Sequence, residues 1–325
     1  MRPSAAVNVD STRTSPESRV RSFVQLRIAP DDSGSASAAS AASIRSWKSP
    51  SWKRAIALFF RKARFDANAG AAGRRIDAAI GDLADARITR IAGRGRTPMP
   101  GLIDAHVHLT FGALSQAQMA APDMSARKGE EAAAVEARRM LLRGFTAVRD
   151  VGGPIFGLKR RIDAGELQGP RIWPSGAVIS QTSGHGDFRL PSEPSRRFTG
   201  KPSRSELLGA NFIADGRDEV RTAVRENLRM GASQIKLMAG GGTSSAYDPI
   251  DVTQYTLDEM KAAVEAAEDW NTYVTVHAYT PRAVRRAVEA GVQCTEHRQL
   301  LDEPTLKPMA ERDTWLVARA KRAFL

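Results

Sequence analysis

Stretches of helical composition alternate with short apolar runs of strand character through the middle of the chain. Residues 125–143 read as a helix that Gly144 stops, and residues 145–150 follow as a strand. Residues 217–230 read as a second helix, then Gly231, then the run Gln234-Ile235-Lys236-Leu237-Met238. Thr256-Leu257-Asp258-Glu259 has the spacing of a capping box, hydroxyl first and carboxylate three residues on; it opens a helix to about Glu268, and a strand through His277 comes next. Pro281 suits the first turn of a further helix, where no N–H is needed, and Gly291 ends it before a strand through His297. Helix, glycine, strand and a chemically active residue thus recur. Repeated units of this kind, joined by short loops, predict a parallel sheet with helices outside it. Candidate strands lie near 102–108, 146–151, 171–179, 234–239, 273–279, 293–297 and 315–318, which makes seven.

The chemistry-bearing residues fall on those strands. All five histidines sit in four short motifs: Ala105-His106-Val107-His108, Gly184-His185-Gly186, Val276-His277-Ala278-Tyr279 and Thr295-Glu296-His297. His106 and His108 are two apart on a strand, so their side chains share a face and can supply two nitrogens to one metal. Imidazole suits zinc and its first-row neighbours. Lys236 lies inside an apolar run, where a charged amine without a partner is costly. Neutral at its tip, that amine can take up carbon dioxide, and the resulting carbamate can bridge two metals. His277 and His297 would then complete the shell of the second.

With these motifs on the page, the chain from about Pro98 to Val317 resembles the metal-dependent amidohydrolase superfamily. Residues 99–108 (MPGLIDAHVH), 144–150 (GFTAVRD) and 277–280 (HAYT) resemble the branch of Xaa-Pro dipeptidases and imidazolonepropionase-like hydrolases. The resemblance implies a (β/α)8 TIM-type barrel, with the metal ligands at the strand C-termini where such barrels carry their active sites. It implies that His106 and His108 bind one metal, that carboxylated Lys236 bridges, and that His277 and His297 bind the other. The two ions are expected to be zinc. A metal-activated hydroxide would attack the carbonyl of an amide or peptide bond, most readily in a dipeptide ending in proline or a similar N-acyl amino acid. The alternative within the superfamily is a cyclic-amide hydrolase of the imidazolonepropionase kind, against which a bridging lysine argues. The superfamily also uses an aspartate at the end of the eighth strand. With about seven strands found, that strand and its aspartate are expected to be missing from this chain. An alternative of another class follows: a truncated, inactive product with a partial metal site.

Composition changes the picture mainly at the N-terminus. The chain has 325 residues and a net charge of +12. Residues 1–100 hold 18 Lys+Arg against 8 Asp+Glu, whereas residues 101–325 hold 30 against 28. The basic surplus therefore belongs to the first hundred residues. Residues 1–60, rich in Ser, Ala and Arg, are expected to be a disordered basic leader and not a nucleic-acid arm. Residues 61–98 keep a faint strand pattern and are expected to be a degenerate remnant of a small β-sandwich, leaving 99–325 as a C-terminally truncated barrel. One cysteine, Cys294, excludes an internal disulfide and a cysteine zinc cluster. No apolar run approaches the roughly 20 residues of a membrane span. A dipeptide or other small substrate is expected as partner, with no nucleic acid and no membrane, homo-oligomerisation left open, and a cytoplasmic location.

Several further residues carry two readings. His185, in a glycine-flanked loop, is expected near the substrate, in a catalytic or binding role. Tyr279 faces the same way as His277 and could donate to a carbonyl oxygen or oxyanion, or simply pack. Tyr247 and Arg189 are candidate contacts for a substrate carboxylate. Gly240-Gly241-Gly242 lacks the lysine of a phosphate loop and reads as a flexible connection. Asp104 and Asp150 are expected to serve structural or supporting roles beside the ligands. Neither Asp302 nor Asp313 is placed to replace the missing aspartate.

Overall fold

A computed structural model of the chain describes residues 23–27, 99–243, 247–297 and 299–319. The compact unit that holds the described elements comprises Met1–Asp32 and Leu102–Leu325; of the other unit, Ser33–Gly101, only the last three residues are described. The expected β-sandwich remnant over 61–98 lies outside the described residues.

Ten strands are present among the described residues: β1 (Phe23–Arg27), β2 (Leu102–Val107), β3 (Phe145–Asp150), β4 (Arg171–Pro174), β5 (Val178–Ser180), β6 (Asn211–Ile213), β7 (Ile235–Met238), β8 (Val274–Ala278), β9 (Cys294–His297) and β10 (Trp315–Arg319). They form a seven-stranded sheet in the order β1-β10-β9-β8-β7-β5-β6 and a three-stranded sheet β2-β3-β4. Every pairing among β2 to β10 is parallel; β1 alone runs antiparallel, along β10. The six longer helices are α1 (Ala126–Leu142), α2 (Phe156–Asp163), α3 (Arg217–Met230), α4 (Leu257–Glu268), α5 (Pro281–Glu289) and α6 (Glu303–Glu311).

Local chemistry fixes these boundaries as the sequence predicts. The Ser125 hydroxyl accepts from the Lys128 N–H to open α1, and Thr256 and Glu259 form the full capping box of α4. Thr280 caps α5, with Pro281 in its first turn. That helix buries Ala283, Val284, Ala287 and Val288, one stripe at helical spacing, against the sheet. Each such buried valine contributes about 1.5–3 kcal/mol relative to exposure. One core cluster joins α3, α4 and α5 to β5, β7 and β8; another joins α1 and α2 to β3 and β4.

Three strands differ from expectation. The run expected as one strand over 171–179 is two, β4 and β5, and they belong to different sheets. Gly176, between them, has φ +76, a left-handed turn that breaks the extended run. β6 is a further strand, only three residues long, which no periodicity over so few residues would reveal. Within the segment expected as a disordered leader, Phe23–Arg27 pairs with β10, Phe23 opposite Arg319 through Arg27 opposite Trp315. A run of β-formers can dock on unpaired N–H and C=O groups at a sheet edge, so the expectation fails at these five residues. No helix among the described residues is long and apolar enough to cross a membrane.

Candidate metal centre and active site

The C-terminal ends of β2, β7, β8 and β9 bring the expected ligands into one cluster. The His297 ring centroid lies 4.7 Å from those of both His106 and His277. His108 lies 5.2 Å from His106, and His185 stacks on His277 at 4.0 Å. All five histidines thus meet. His297 ends β9 at φ +76, a left-handed conformation rare outside glycine that costs about 1–3 kcal/mol and gathers at functional sites. Lys236 is only 1% exposed, and its Nζ has no hydrogen-bond partner.

Hydrogen bonds assign the ring nitrogens. His106 Nδ1 lies 2.7 Å from Glu296 Oε2. An ionised carboxylate only accepts, so Nδ1 carries the proton and Nε2 keeps a lone pair. The same argument applies to His108, whose Nδ1 faces the Gly152 carbonyl at 3.1 Å. In His277 the roles reverse: Nε2 faces the Gly241 carbonyl at 3.0 Å, which leaves Nδ1 as the lone-pair nitrogen.

Burial favours the neutral forms of His106, His277 and Lys236. Burial lowers His106 from 6.5 to about 4, against the opposing pull of Glu296. Burial, with His297, His185 and Lys236 nearby, holds His277 well below the ordinary imidazole value. Burial lowers Lys236 from 10.5 to about 8. Neutral imidazoles and a readily deprotonated amine are the states in which these groups ligate a metal or take up carbon dioxide. His106 Nε2, like Lys236 Nζ, is buried without a hydrogen-bond partner. Two orphaned polar atoms in one cluster fit a bound cation, since buried polar groups are otherwise nearly always paired. Among the described residues no group of three or more His, Cys, Asp or Glu side chains stands in place to hold a metal ion.

Two supporting residues escaped the sequence reading. Glu296 is fully buried, and besides His106 it accepts from Thr275 Oγ1 at 2.5 Å and from Arg149. Burial pushes its carboxyl up, but Arg149 and His106 outweigh this and hold it well below the usual carboxylate range. Arg149 also donates through Nε to the Ala105 carbonyl at 2.7 Å and through Nη1 to the Tyr273 hydroxyl at 3.2 Å. The Arg149–Glu296 pair joins β3 of one sheet to β9 of the other. A charged residue in the middle of each strand was the available signal.

The remaining candidates are distributed as follows. His185 Nδ1 meets Asp248 Oδ2 at 3.2 Å, and Asp248 also accepts from the Gly242 N–H at 2.9 Å. A Cβ on Gly242 would lie 1.9 Å from the His185 ring, so this glycine is needed for close approach. Asp248 is a third omission from the sequence reading. Tyr279 is buried, stacked on His297 at 5.3 Å and edge-on to His277 at 5.0 Å. Arg189 is gripped by Asp187 through bonds of 2.8 and 2.6 Å, which leaves less of its guanidinium for a substrate carboxylate. Tyr247 is 56% exposed. Asp104 accepts the His106 N–H at 3.0 Å. Asp150 accepts from Leu109 and Gly152, bracing the loop beyond β2, and burial raises it to about 7. Cys294 is buried, and burial pushes its thiol up to about 11.

Several known proteins are similar to this chain. Ochratoxinase of Aspergillus niger is 35% identical over 256 residues, 75% of this chain and 53% of that protein. A prolidase crystallised with N-methylphosphonate-L-proline is 42% identical, with a TM-score of 0.60 over 66% of this chain and 51% of its own. A Xaa-Pro dipeptidase with methionine bound in its active site is 34% identical, with a TM-score of 0.57 over 66% of this chain and 52% of its own. The chain spans about half the length of these relatives. The amidohydrolase family model matches residues 97–323, which hold every histidine and Lys236, and the chain belongs to that family.

Proposed function

We propose that the cluster is a binuclear metal site for hydrolysis of a C–N bond, with His106 and His108 on one ion, His277 and His297 on the other, and carboxylated Lys236 between them. The observation that carries this is Lys236: a fully buried amine with no hydrogen-bond partner, near the neutral imidazoles of His106 and His277. A structural role would leave it paired. Divalent metal held there, most simply zinc, would supply an activated water and polarise the scissile carbonyl. The protein groups around it have separate tasks. His185, oriented by Asp248, and buried Tyr279 face the same cluster and would hydrogen-bond the carbonyl oxygen or the leaving group. Tyr247 and Arg189, in the flanking loops, would meet the substrate's carboxylate.

The substrate class follows from the relatives. A prolidase, a Xaa-Pro dipeptidase and ochratoxinase are similar to this chain. Dipeptides ending in proline and similar N-acyl amino acids are therefore the first substrates to try. Near-balanced charge over 101–325 suits a small substrate better than nucleic acid. Metal analysis after purification in zinc and bicarbonate tests the site: close to two equivalents are expected, and well under two would refute the binuclear arrangement. Hydrolysis of a panel of Xaa-Pro dipeptides tests the substrate.

A further inference from the structure

We infer that Glu296 is a positioning residue that turns His106 into a metal ligand by fixing its ring tautomer, and that Arg149 and Thr275 hold Glu296 in the orientation this requires. The inference rests on the metal-site reading above. Glu296 presents two oxygens with distinct partners. Oε2 faces His106 Nδ1 at 2.7 Å. Oε1 collects the Arg149 guanidinium and the Thr275 hydroxyl, the latter at 2.5 Å, with Cys294 Sγ at 3.6 Å. Every group around Oε1 is a donor, so that position must hold an acceptor. The Arg149 guanidinium keeps Glu296 ionised, so the opposite oxygen can only accept from Nδ1–H, and the lone pair of neutral His106 is left on Nε2, the atom buried without a partner. A plain structural ion pair between Arg149 and Glu296 would need no imidazole at the second oxygen. A carboxylate behind a ligating histidine also makes the imidazole more basic and locks its plane.

Glu296→Gln separates the two roles. The amide oxygen must occupy the Oε1 position, where three donors converge. Its NH2 then faces His106 Nδ1 and donates to it, which drives the ring proton to Nε2. The tautomer is read in metal-free protein by long-range 1H–15N correlation on histidine-labelled samples, with His106 assigned from a His106→Gln variant. Zinc affinity is read by competition with a chromogenic chelator. We expect Nδ1–H in the wild type, Nε2–H in Glu296→Gln, and zinc binding weaker by about 10–100-fold. A variant that keeps Nδ1–H, or one that flips with zinc affinity unchanged, overturns the inference. Should the variant fail to fold, the wild-type spectrum decides alone: a proton on His106 Nε2 refutes the assignment. Wild-type protein that takes up no zinc would end the metal-site reading instead, a result the metal-free spectra do not depend on.

Discussion

Replacing Lys236 with methionine should stabilise the metal-free protein while abolishing its binuclear metal site. The two side chains are similar in length, so repacking costs under about 1.5 kcal/mol. The ammonium, in contrast, is fully buried with no partner, and burial lowers it from 10.5 to about 8. At ~1.4 kcal/mol per tenfold change, that depression corresponds to about 3 kcal/mol of destabilisation while the amine is charged. The sign follows from linkage. A base whose folded value lies below its unfolded value carries its full cost below about pH 8, and the cost fades as pH rises towards 10.5, because the unfolded chain holds the proton longer. Lys236→Met should therefore gain about 2–3 kcal/mol at pH 7, and clearly less at pH 9. Urea unfolding in chelator and carbon dioxide-free buffer at both pH values measures this. Zinc with bicarbonate should then stabilise the wild type, since a ligand bound only to the folded state adds to its stability, and should do less for the variant. A variant no more stable than wild type at pH 7, or a gap that does not narrow at pH 9, would show that Lys236 is not a buried, unpaired cation.

Gly242→Ala should push the His185 ring off its place against His277, since a Cβ would lie 1.9 Å from it; displacement on the order of 1 Å costs about 10²-fold in kcat/KM. Zinc content should stay at the wild-type value, and unchanged kinetics on a hydrolysed dipeptide would refute a role for His185. Arg149→Met strands a buried ionised Glu296 and should cost about 3–5 kcal/mol in thermal or urea unfolding. A loss under about 1 kcal/mol would mean that Glu296 is not charged in the folded protein.

The parallel βα framework was legible because its signals are local. Capping residues, Pro281 and the glycines after helices mark boundaries whatever the tertiary context, and α4 and α5 begin where their caps predict. The ligand histidines were legible because an imidazole at the end of an apolar strand is chemically conspicuous. Glu296 and Arg149 were not, although each interrupts a strand. Their meaning lies in contacts 147 residues apart in sequence, which no local window contains. Asp248 was hidden for the same reason: it lies 63 residues from His185 and follows the glycine loop that was read as a plain connection. The division of residues 171–180 between two sheets depends on a left-handed turn at Gly176, and one glycine in an apolar run does not announce its φ.

The parts of the site depend on each other. At the strand ends stand His106 and His277, which burial keeps neutral, and an amine whose deprotonation burial favours. In contact with His106 sits the charged pair Arg149–Glu296. Removing two charges from water costs several kcal/mol per ion, which good geometry repays only in part. A core built for stability alone would use apolar residues there. Glu296 touches His106 directly and lies close enough to Lys236 for their charges to attract. Its negative charge opposes the deprotonation of Lys236 that burial favours, and its carboxylate sets which nitrogen of His106 faces the cluster. Burial and this single anion therefore pull against each other on the same two groups. The balance holds His106 in the tautomer that a metal would select and brings Lys236 towards the neutral form that carbon dioxide would select.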